Sequence, residues 1–457
     1  MPRTPQTELR RVMTLLDVVS LGIGASVGVA IYSILAPAAA LAGTGLLAAV
    51  TIAAVPMVIF AVVYAFMGST VPRSGASYDW PARFVHPKAG FAVAWLRIFG
   101  DTAALIVLTR VLAVYLSQIV PMPQRPTMLV LLLLFCAINL VGVHVAAGVE
   151  RVLVAAKLIA LAVFMLLGLS AVESANFHSV PGPGLAGTFA AVPLLMSLYL
   201  GIESAVEVGE EIKDATSTIG KGLAIAAVIA VVLYLGVSAI TLGVLGSRTL
   251  SASQAPLFDA GSRFLGRWNT PVVSFAAVAA IGTTINAIYL TFTRFLFAMG
   301  QDRVLPAILA NIHPRWATPH VAILVVFGCG VLGLLLPSSL LFLFLAVNLP
   351  SMVQYFFNCL AAARLVAGHP ALLARARLLM KRGTVTAWAF AGMLASVVLF
   401  VAGFTVDWRP YAILAGWAAV GVCYWRVRGR HAGRLRDRHQ DEADAAAELG
   451  SPPRRNA

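Results

Sequence analysis

Long apolar stretches alternate with short polar segments from about residue 17 to residue 426 of this chain. A helix needs roughly 20 apolar residues to cross a bilayer, and inside lipid its backbone polar groups must be bonded within the element. The pattern therefore predicts an all-α polytopic membrane protein with twelve transmembrane helices. We number the stretches spans 1 to 12, and they cover 17–42, 44–70, 86–118, 126–144, 147–171, 186–206, 219–246, 269–300, 318–337, 339–366, 385–406 and 409–426.

Composition and charge fit a chain that lies mostly in lipid. Hydrophobic residues make up 60% of the sequence and charged residues 11%, against about 25% charged residues in soluble proteins. The net charge of +14 is concentrated in one alternate set of loops and in the two tails. The basic residues of the other loops are Arg125, Arg248, Arg263, Arg267 and Arg409. The positive-inside rule then places both termini in the cytoplasm and explains the basic balance without a nucleic-acid partner.

Glycines interrupt two of the spans. Span 1 holds Gly22, Gly24 and Gly28 within one apolar run, and span 6 holds Gly201 near its middle. Glycine costs about 1 kcal/mol relative to alanine inside a helix, and interrupted spans at matching places in two halves are typical of transporters with broken helices. Spans 1 and 6 are five apart. Because five is an odd number of crossings, a second repeat of five helices has the opposite orientation in the membrane. Close helix packing through small residues is the alternative.

A few ionisable residues lie deep inside the spans, where a charge is costly and usually functional. Lys157 lies about ten residues into span 5 and is expected to face the interior of the bundle. Arg97 and Asp101 are four residues apart on span 3, a spacing that allows them to pair. A free Asp101 favours a substrate with a second positive charge or binds the α-ammonium, whereas pairing with Arg97 leaves the site neutral. Glu203 follows the glycine of span 6.

The sequence offers no sign of an enzyme. Phosphate-binding, nucleophile-elbow and zinc-binding motifs are absent from it, and its four cysteines lack the spacing of metal ligands. We expect neither a cofactor nor a metal. The expected partners are the lipid bilayer, a small-molecule amino acid or amine substrate and, for a coupled cycle, protons.

Five motifs in sequence order resemble those of amino acid permeases of the amino acid–polyamine–organocation superfamily. They are the opening of span 1 (GIGASVGVAIYSI), the segment after span 2 (VPRSGASYDWPARFVHPKAGFAVAW), the span 4–5 run (NLVGVHVAAGVERVLVAAKL), the span 6 run (LGIESAVEVGEEIKDATSTIGKGL) and the segment after span 8 (TRFLFAMGQDRVLPAILANIHPRWATP). The resemblance covers about residues 14–366, and the last motif is the most specific.

The resemblance implies a LeuT-like fold, in which two inverted five-helix repeats are followed by two further helices. We expect no signal peptide, because the opening segment is polar. The chain is expected to begin with a cytoplasmic tail (1–16), followed by the first five-helix repeat (17–171) and the second (186–366). A pair of helices (385–426) and a disordered cytoplasmic tail (427–457) follow. It is then a multi-pass protein of the cytoplasmic membrane.

The resemblance also implies a substrate site midway across the membrane, between the breaks in spans 1 and 6. The α-carboxylate is expected to meet the backbone amides around Gly28, Val29 and Ala30, because a helix N-terminus exposes N–H groups and a partial positive charge. The residues expected at the α-ammonium are Ser26, Val27, Leu200 and Gly201. Gly100 and Asp101 match span 3 positions that face the substrate. Ser197 and Ile288 match positions that shape the side-chain pocket on spans 6 and 8.

Lys157 matches a lysine of the family that stands where sodium-coupled relatives of the same fold hold an ion. It is therefore the expected coupling residue, and its charge argues against Na⁺ at that position. The chain departs from the family pattern at several positions, one of which is the loop after Lys213, where the family's proline is absent. Ala30 replaces a glycine and fits a positive φ angle poorly. Ser197 replaces a large aromatic residue, so the usual gate is missing or comes from Tyr199 or another span.

These features predict a secondary active transporter of amino acids that works by alternating access, with a proton-coupled or an exchange cycle. A polyamine or other organic-cation carrier is the alternative among transporters. A membrane sensor that keeps the fold without transport is the alternative from another class. A channel is disfavoured, because the sequence lacks a repeated pore ring.

Overall fold

The computed structural model describes residues 11, 13–73, 75–141, 146–178, 184–209, 212–301, 303–316, 318–375 and 380–428. Across these residues the chain is helical and contains no strand; one isolated bridge joins Met13 to Ile212. The predicted tails 1–16 and 427–457 lie largely outside the described residues.

The α-helices follow the apolar stretches predicted from the sequence. In chain order they are α1 Leu15–Ser26, α2 Val29–Ser33, α3 Leu35–Ala42, α4 Leu46–Thr70, α5 Ala76–Trp80, α6 Pro87–Ser117, α7 Gln124–Val141, α8 Ala146–Gly168, α9 Gly184–Leu195, α10 Ala215–Ala252, α11 Pro256–Gly261, α12 Phe275–Gln301, α13 His320–Gly333, α14 Leu340–Gly368, α15 Pro370–Arg375, α16 Arg382–Val406 and α17 Arg409–Arg428. Each of the twelve predicted spans overlaps at least one of these helices.

Ten helical stretches in the described part of the chain are long and apolar enough to cross a membrane. The helix of span 9, α13, is apolar but has 14 residues, and α17 of span 12 has 20 residues with an arginine at each end. Large apolar side chains are exposed on the outer faces, with Leu166 68% and Leu335 84% exposed. Such extensive apolar exposure indicates contact with lipid. The prediction of an all-α polytopic membrane protein is therefore confirmed.

Local sequence signals fix where several helices begin. The Asp17 carboxylate accepts a hydrogen bond of 2.8 Å from the backbone N–H of Thr14, which precedes α1. Ser339 precedes α14, and its hydroxyl accepts from the N–H of Phe342 at 3.2 Å. These side chains satisfy N–H groups that have no partner within the helix.

The last helix is attached to span 3 by two tryptophans. Trp95 Nε1 donates to the carbonyl of Trp417 at 2.8 Å, and Trp417 Nε1 donates to the carbonyl of Trp95 at 2.7 Å. Their rings stack with centroids 4.7 Å apart. Gly421 allows this close approach, because a Cβ there would collide with the Trp95 indole. The reciprocal pair therefore joins α17 to α6.

Replacing Trp417 with phenylalanine should destabilise this attachment. The change removes one indole donor and leaves the Trp95 carbonyl without that partner, at a cost of about 1–3 kcal/mol. We expect a lower midpoint of thermal unfolding in detergent, measured by intrinsic fluorescence. Trp408→Phe is the matched control, since Trp408 is 61% exposed. Equal midpoints for both variants would show that the reciprocal bonds add nothing to stability.

Candidate functional site

Span 1 is broken at two residues near its middle. Helix α1 ends at Ser26 and α2 begins at Val29. Between them Val27 has φ −79° and ψ 68°, and Gly28 has φ −118° and ψ −132°. Neither φ is positive, and Ala30 lies inside the first turn of α2. The alanine that replaces the family's glycine is thus compatible with the break.

Span 6 is broken where the sequence predicts it. Helix α9 ends at Leu195, a short 3₁₀ turn follows, and Gly201 then adopts φ 101° and ψ −14°, which favours glycine. The chain continues as a 3₁₀-helix over Ile202–Glu207. A Cβ on Gly201 would lie 2.9 Å from the carbonyl carbon of Ala25 on α1. The two broken spans therefore touch at this glycine.

A cavity of about 180 Å³ lies beside both breaks, between spans 1, 3, 6, 8 and 10. Ten of the eleven residues expected to bind substrate line it: Ser26, Gly28, Val29, Ala30, Gly100, Asp101, Ser197, Leu200, Gly201 and Ile288. Val27 is fully buried, and its carbonyl accepts a hydrogen bond from Lys157. The predicted residues are thus brought together, apart from Val27 and Lys157, which lie behind the break.

The start of α2 gives the cavity an electropositive wall. Val29 and Ala30 line the cavity and occupy the first turn of α2, where backbone N–H groups have no partner within the helix. Helix α2 continues into α3, since the Ile34 N–H donates to the carbonyl of Ala30 at 2.8 Å and the Ala38 N–H donates to the carbonyl of Ile34 at 3.0 Å. The combined helix dipole therefore favours an anionic group at this end.

Lys157 of span 5 supports the break from behind. Its side chain is fully buried, and Nζ donates to the carbonyls of Gly24 at 2.9 Å and Val27 at 2.8 Å. These carbonyls lie at the end of α1, where they have no helical partner. The ammonium group is thus held by two backbone oxygens at the end of α1.

Asp101 is both paired and at the cavity. Arg97 Nε donates to Asp101 Oδ2 at 3.3 Å, and both residues line the cavity. Arg97 also donates to the Gln354 amide oxygen at 3.0 Å. Of the two alternatives left open by the sequence, the structure shows the paired one.

Ser197, which stands where the family has a large aromatic residue, is hydrogen-bonded to span 10. Its hydroxyl donates to Asn348 Oδ1 at 2.7 Å, and Asn348 Nδ2 donates to the carbonyl of Pro193 at 2.7 Å. Tyr199 is fully buried and does not line the cavity, and its hydroxyl donates to the carbonyl of Val50 at 3.2 Å. Among the described residues that line the cavity, the aromatic one is Phe344 of span 10.

Glu203 braces the unwound part of span 6. Its carboxylate accepts from the N–H of Gly201 at 3.0 Å and from the Tyr355 hydroxyl at 2.9 Å. The sequence interpretation singled out Glu203 but missed the polar groups that spans 8 and 10 add to the cavity wall. These are Thr283, Thr284, Asn286, Thr291, Arg294, Ser351 and Gln354. In the sequence these residues can be recognised only as polar residues that lie within otherwise apolar helices.

Comparison with known proteins identifies the family of this chain. Residues 13–410 match the profile of a family described as amino acid permease. An uncharacterized transporter of Mycobacterium tuberculosis is 32% identical over 329 residues, which cover 71% of this chain and 74% of the relative.

Two more distant relatives have names that state a substrate. A branched-chain amino acid permease of Bacillus subtilis is 24% identical, over 69% of this chain and 73% of its own length. Cationic amino acid transporter 4 of Homo sapiens is 25% identical, over 77% of this chain and 58% of its own length. The two named substrate classes differ in side-chain charge.

Proposed function

Because the chain belongs to the amino acid permease family of the amino acid–polyamine–organocation superfamily, we propose that it is a secondary transporter that moves amino acids across the cytoplasmic membrane by alternating access. It is a transporter and not an enzyme. The observation that carries the proposal is the cavity bordered by both broken spans. The names of the relatives support an amino acid as the cargo.

The substrate backbone binds between the breaks in this proposal. Its α-carboxylate meets the amides at Gly28, Val29 and Ala30, where the helix dipole favours an anion. Its α-ammonium lies near Ser26 and the unwound part of span 6. The residues of that end are Ser26, Leu200 and Gly201, with Val27 acting through its bond to Lys157. The side chain of the substrate extends toward Gly100, Asp101, Ser197 and Ile288.

The proposed architecture has twelve transmembrane helices and both termini in the cytoplasm. Two inverted repeats, 17–171 and 186–366, surround the site, and the pair 385–426 lies outside them. The breaks in spans 1 and 6 support this division, because they fall five spans apart on the first helix of each repeat. The tails 1–16 and 427–457 are cytoplasmic.

Lys157 is the proposed coupling residue, for a proton-coupled or an exchange cycle. Its ammonium donates hydrogen bonds to the carbonyls of Gly24 and Val27, and a fixed positive charge repels a second cation at close range. Sodium is therefore not expected to bind there.

Counterflow in proteoliposomes tests the proposal. Vesicles are loaded with one unlabelled compound, and accumulation of the same labelled compound is followed for leucine, alanine, lysine, arginine and putrescine. We expect at least one amino acid to accumulate, in amounts that protein-free vesicles do not reach. Accumulation of putrescine alone would favour an organic-cation carrier. No accumulation of any compound by folded protein would contradict transport of these substrates and favour a membrane sensor.

A further inference from the structure

Arg97 is a cation fixed in the cavity wall. Its side chain is 19% exposed and donates to Asp101 at 3.3 Å and to Gln354 at 3.0 Å. Nη1 also lies 3.9 Å from a carboxylate oxygen of Glu207. The guanidinium lies over the ring of Phe295, 5.3 Å from its centroid. These contacts hold the positive charge against the Asp101 carboxylate.

A hydrogen-bond network behind Arg97 fixes its orientation. Gln354 Nε2 donates to the Tyr64 hydroxyl at 3.2 Å and to the Ser77 hydroxyl at 3.0 Å. Asn358 Nδ2 donates to the same Tyr64 hydroxyl at 2.6 Å. Because the amide nitrogen of Gln354 is engaged in this way, its oxygen is directed at Arg97. Moving Arg97 aside would therefore leave buried polar groups without partners, which is costly.

The charges that line the cavity balance. Among the described lining residues, the ionisable ones are Arg97, Asp101, Glu203 and Arg294. Two are cationic and two are anionic, so their formal charges sum to zero. A zwitterion with a neutral side chain preserves this balance, whereas a cationic side chain needs a carboxylate whose oxygens are not already engaged. Asp101 is engaged by Arg97, and Glu203 accepts from the Gly201 N–H and the Tyr355 hydroxyl.

We propose that Arg97 is a specificity-determining residue that reserves the cavity for amino acids with neutral side chains. It does so by occupying the Asp101 carboxylate, the group that a cationic side chain would otherwise use. The inference rests on the proposed function and adds the substrate class. The apolar part of the cavity lining is compatible with an apolar side chain, and it includes Ala104, Val107, Leu108, Ile288, Phe344 and Val347.

Arg97→Gln tests this directly in proteoliposomes. The substitution changes the charge sum of the lining from zero to −1 and leaves Asp101 available. We expect the ratio of lysine to leucine accumulated in counterflow to rise by at least about tenfold, since one unit charge acts at close range in a partly desolvated site. Arg97→Lys is the matched control, because it keeps the charge, and it should retain the wild-type order of preference.

The reciprocal change tests the same charge balance from the other side. Asp101→Asn raises the sum to +1, so the ratio of glutamate to leucine should increase. The double variant Arg97→Gln, Asp101→Asn restores a sum of zero and should return the lysine to leucine ratio to near that of the wild type. A structural role for the pair alone would lower all substrates together and leave both ratios unchanged.

The outcomes separate this inference from the proposed function. Wild-type protein that accumulates no amino acid would overturn the function itself. Wild-type protein that accumulates lysine as readily as leucine would overturn only the role of Arg97, and so would an active Arg97→Gln variant with an unchanged ratio. If Arg97→Gln does not fold, two other measurements test the proposal. They are the ratio of glutamate to leucine accumulated by Asp101→Asn and the competition of lysine with leucine uptake by the wild type. Strong competition by lysine would contradict the proposal.

Discussion

Replacing Lys157 with methionine should reduce amino acid counterflow by more than about a hundredfold. The substitution keeps most of the side-chain volume but removes the ammonium that bonds the carbonyls of Gly24 and Val27. The Val27 carbonyl then loses its side-chain donor, at about 1–3 kcal/mol, and the Gly24 carbonyl keeps only the Thr284 hydroxyl at 3.4 Å, so the end of α1 is free to shift. A displacement of about 1 Å at a binding group can cost a hundredfold in rate. Counterflow of the best substrate measures the effect.

Lys221→Met is the matched control for Lys157→Met. Lys221 lies on α10 with an exposed side chain, so the same chemical change should leave the counterflow rate near that of the wild type. Uptake driven by an imposed pH gradient tests the coupling role. If Lys157→Met keeps both the wild-type rate and the wild-type dependence on pH, Lys157 is neither a support of the break nor a coupling residue.

The positions of the two breaks could be predicted because each break contains a glycine that interrupts an apolar span. Gly201 sits in the left-handed region that favours glycine, and Gly28 meets Thr284 of span 8 so closely that a Cβ would collide with it. Both requirements select glycine, and a glycine within an apolar span is visible without a structure. The helical spans were predictable for a similar reason, since lipid imposes a minimum apolar length.

The partners of the polar residues could not be predicted, because they are set by tertiary packing. The sequence allowed Asp101 to be paired or free, and the choice depends on Gln354, far along the chain on span 10, which orients Arg97. Val27 was assigned to the cavity with its neighbours, yet its carbonyl faces Lys157. Within a break the backbone no longer has a helical period, so the direction of each carbonyl does not follow from spacing.

Gly201→Ala should lower the counterflow rate by more than about tenfold and should also lower thermal stability. A non-glycine residue at φ 101° is strained by roughly 1–2 kcal/mol. In addition, the new Cβ would lie 2.9 Å from the Ala25 carbonyl carbon, so the two broken spans must move apart. That movement widens the site between Ser26 and Leu200, both of which line the cavity. Counterflow and the unfolding midpoint in detergent measure the two effects.

Two glycines separate strain from steric contact in this prediction. Gly75 has φ 67°, but a Cβ added there would meet no atom within 4 Å, so Gly75→Ala should lose stability through strain and keep transport. Gly328 lies inside α13 with open space around it, and alanine there should be neutral or slightly stabilising. If Gly201→Ala behaves like Gly75→Ala and transports normally, contact between the two breaks is not needed for transport. A selective loss of transport in Gly201→Ala would show that the contact with Ala25 sets the geometry of the site.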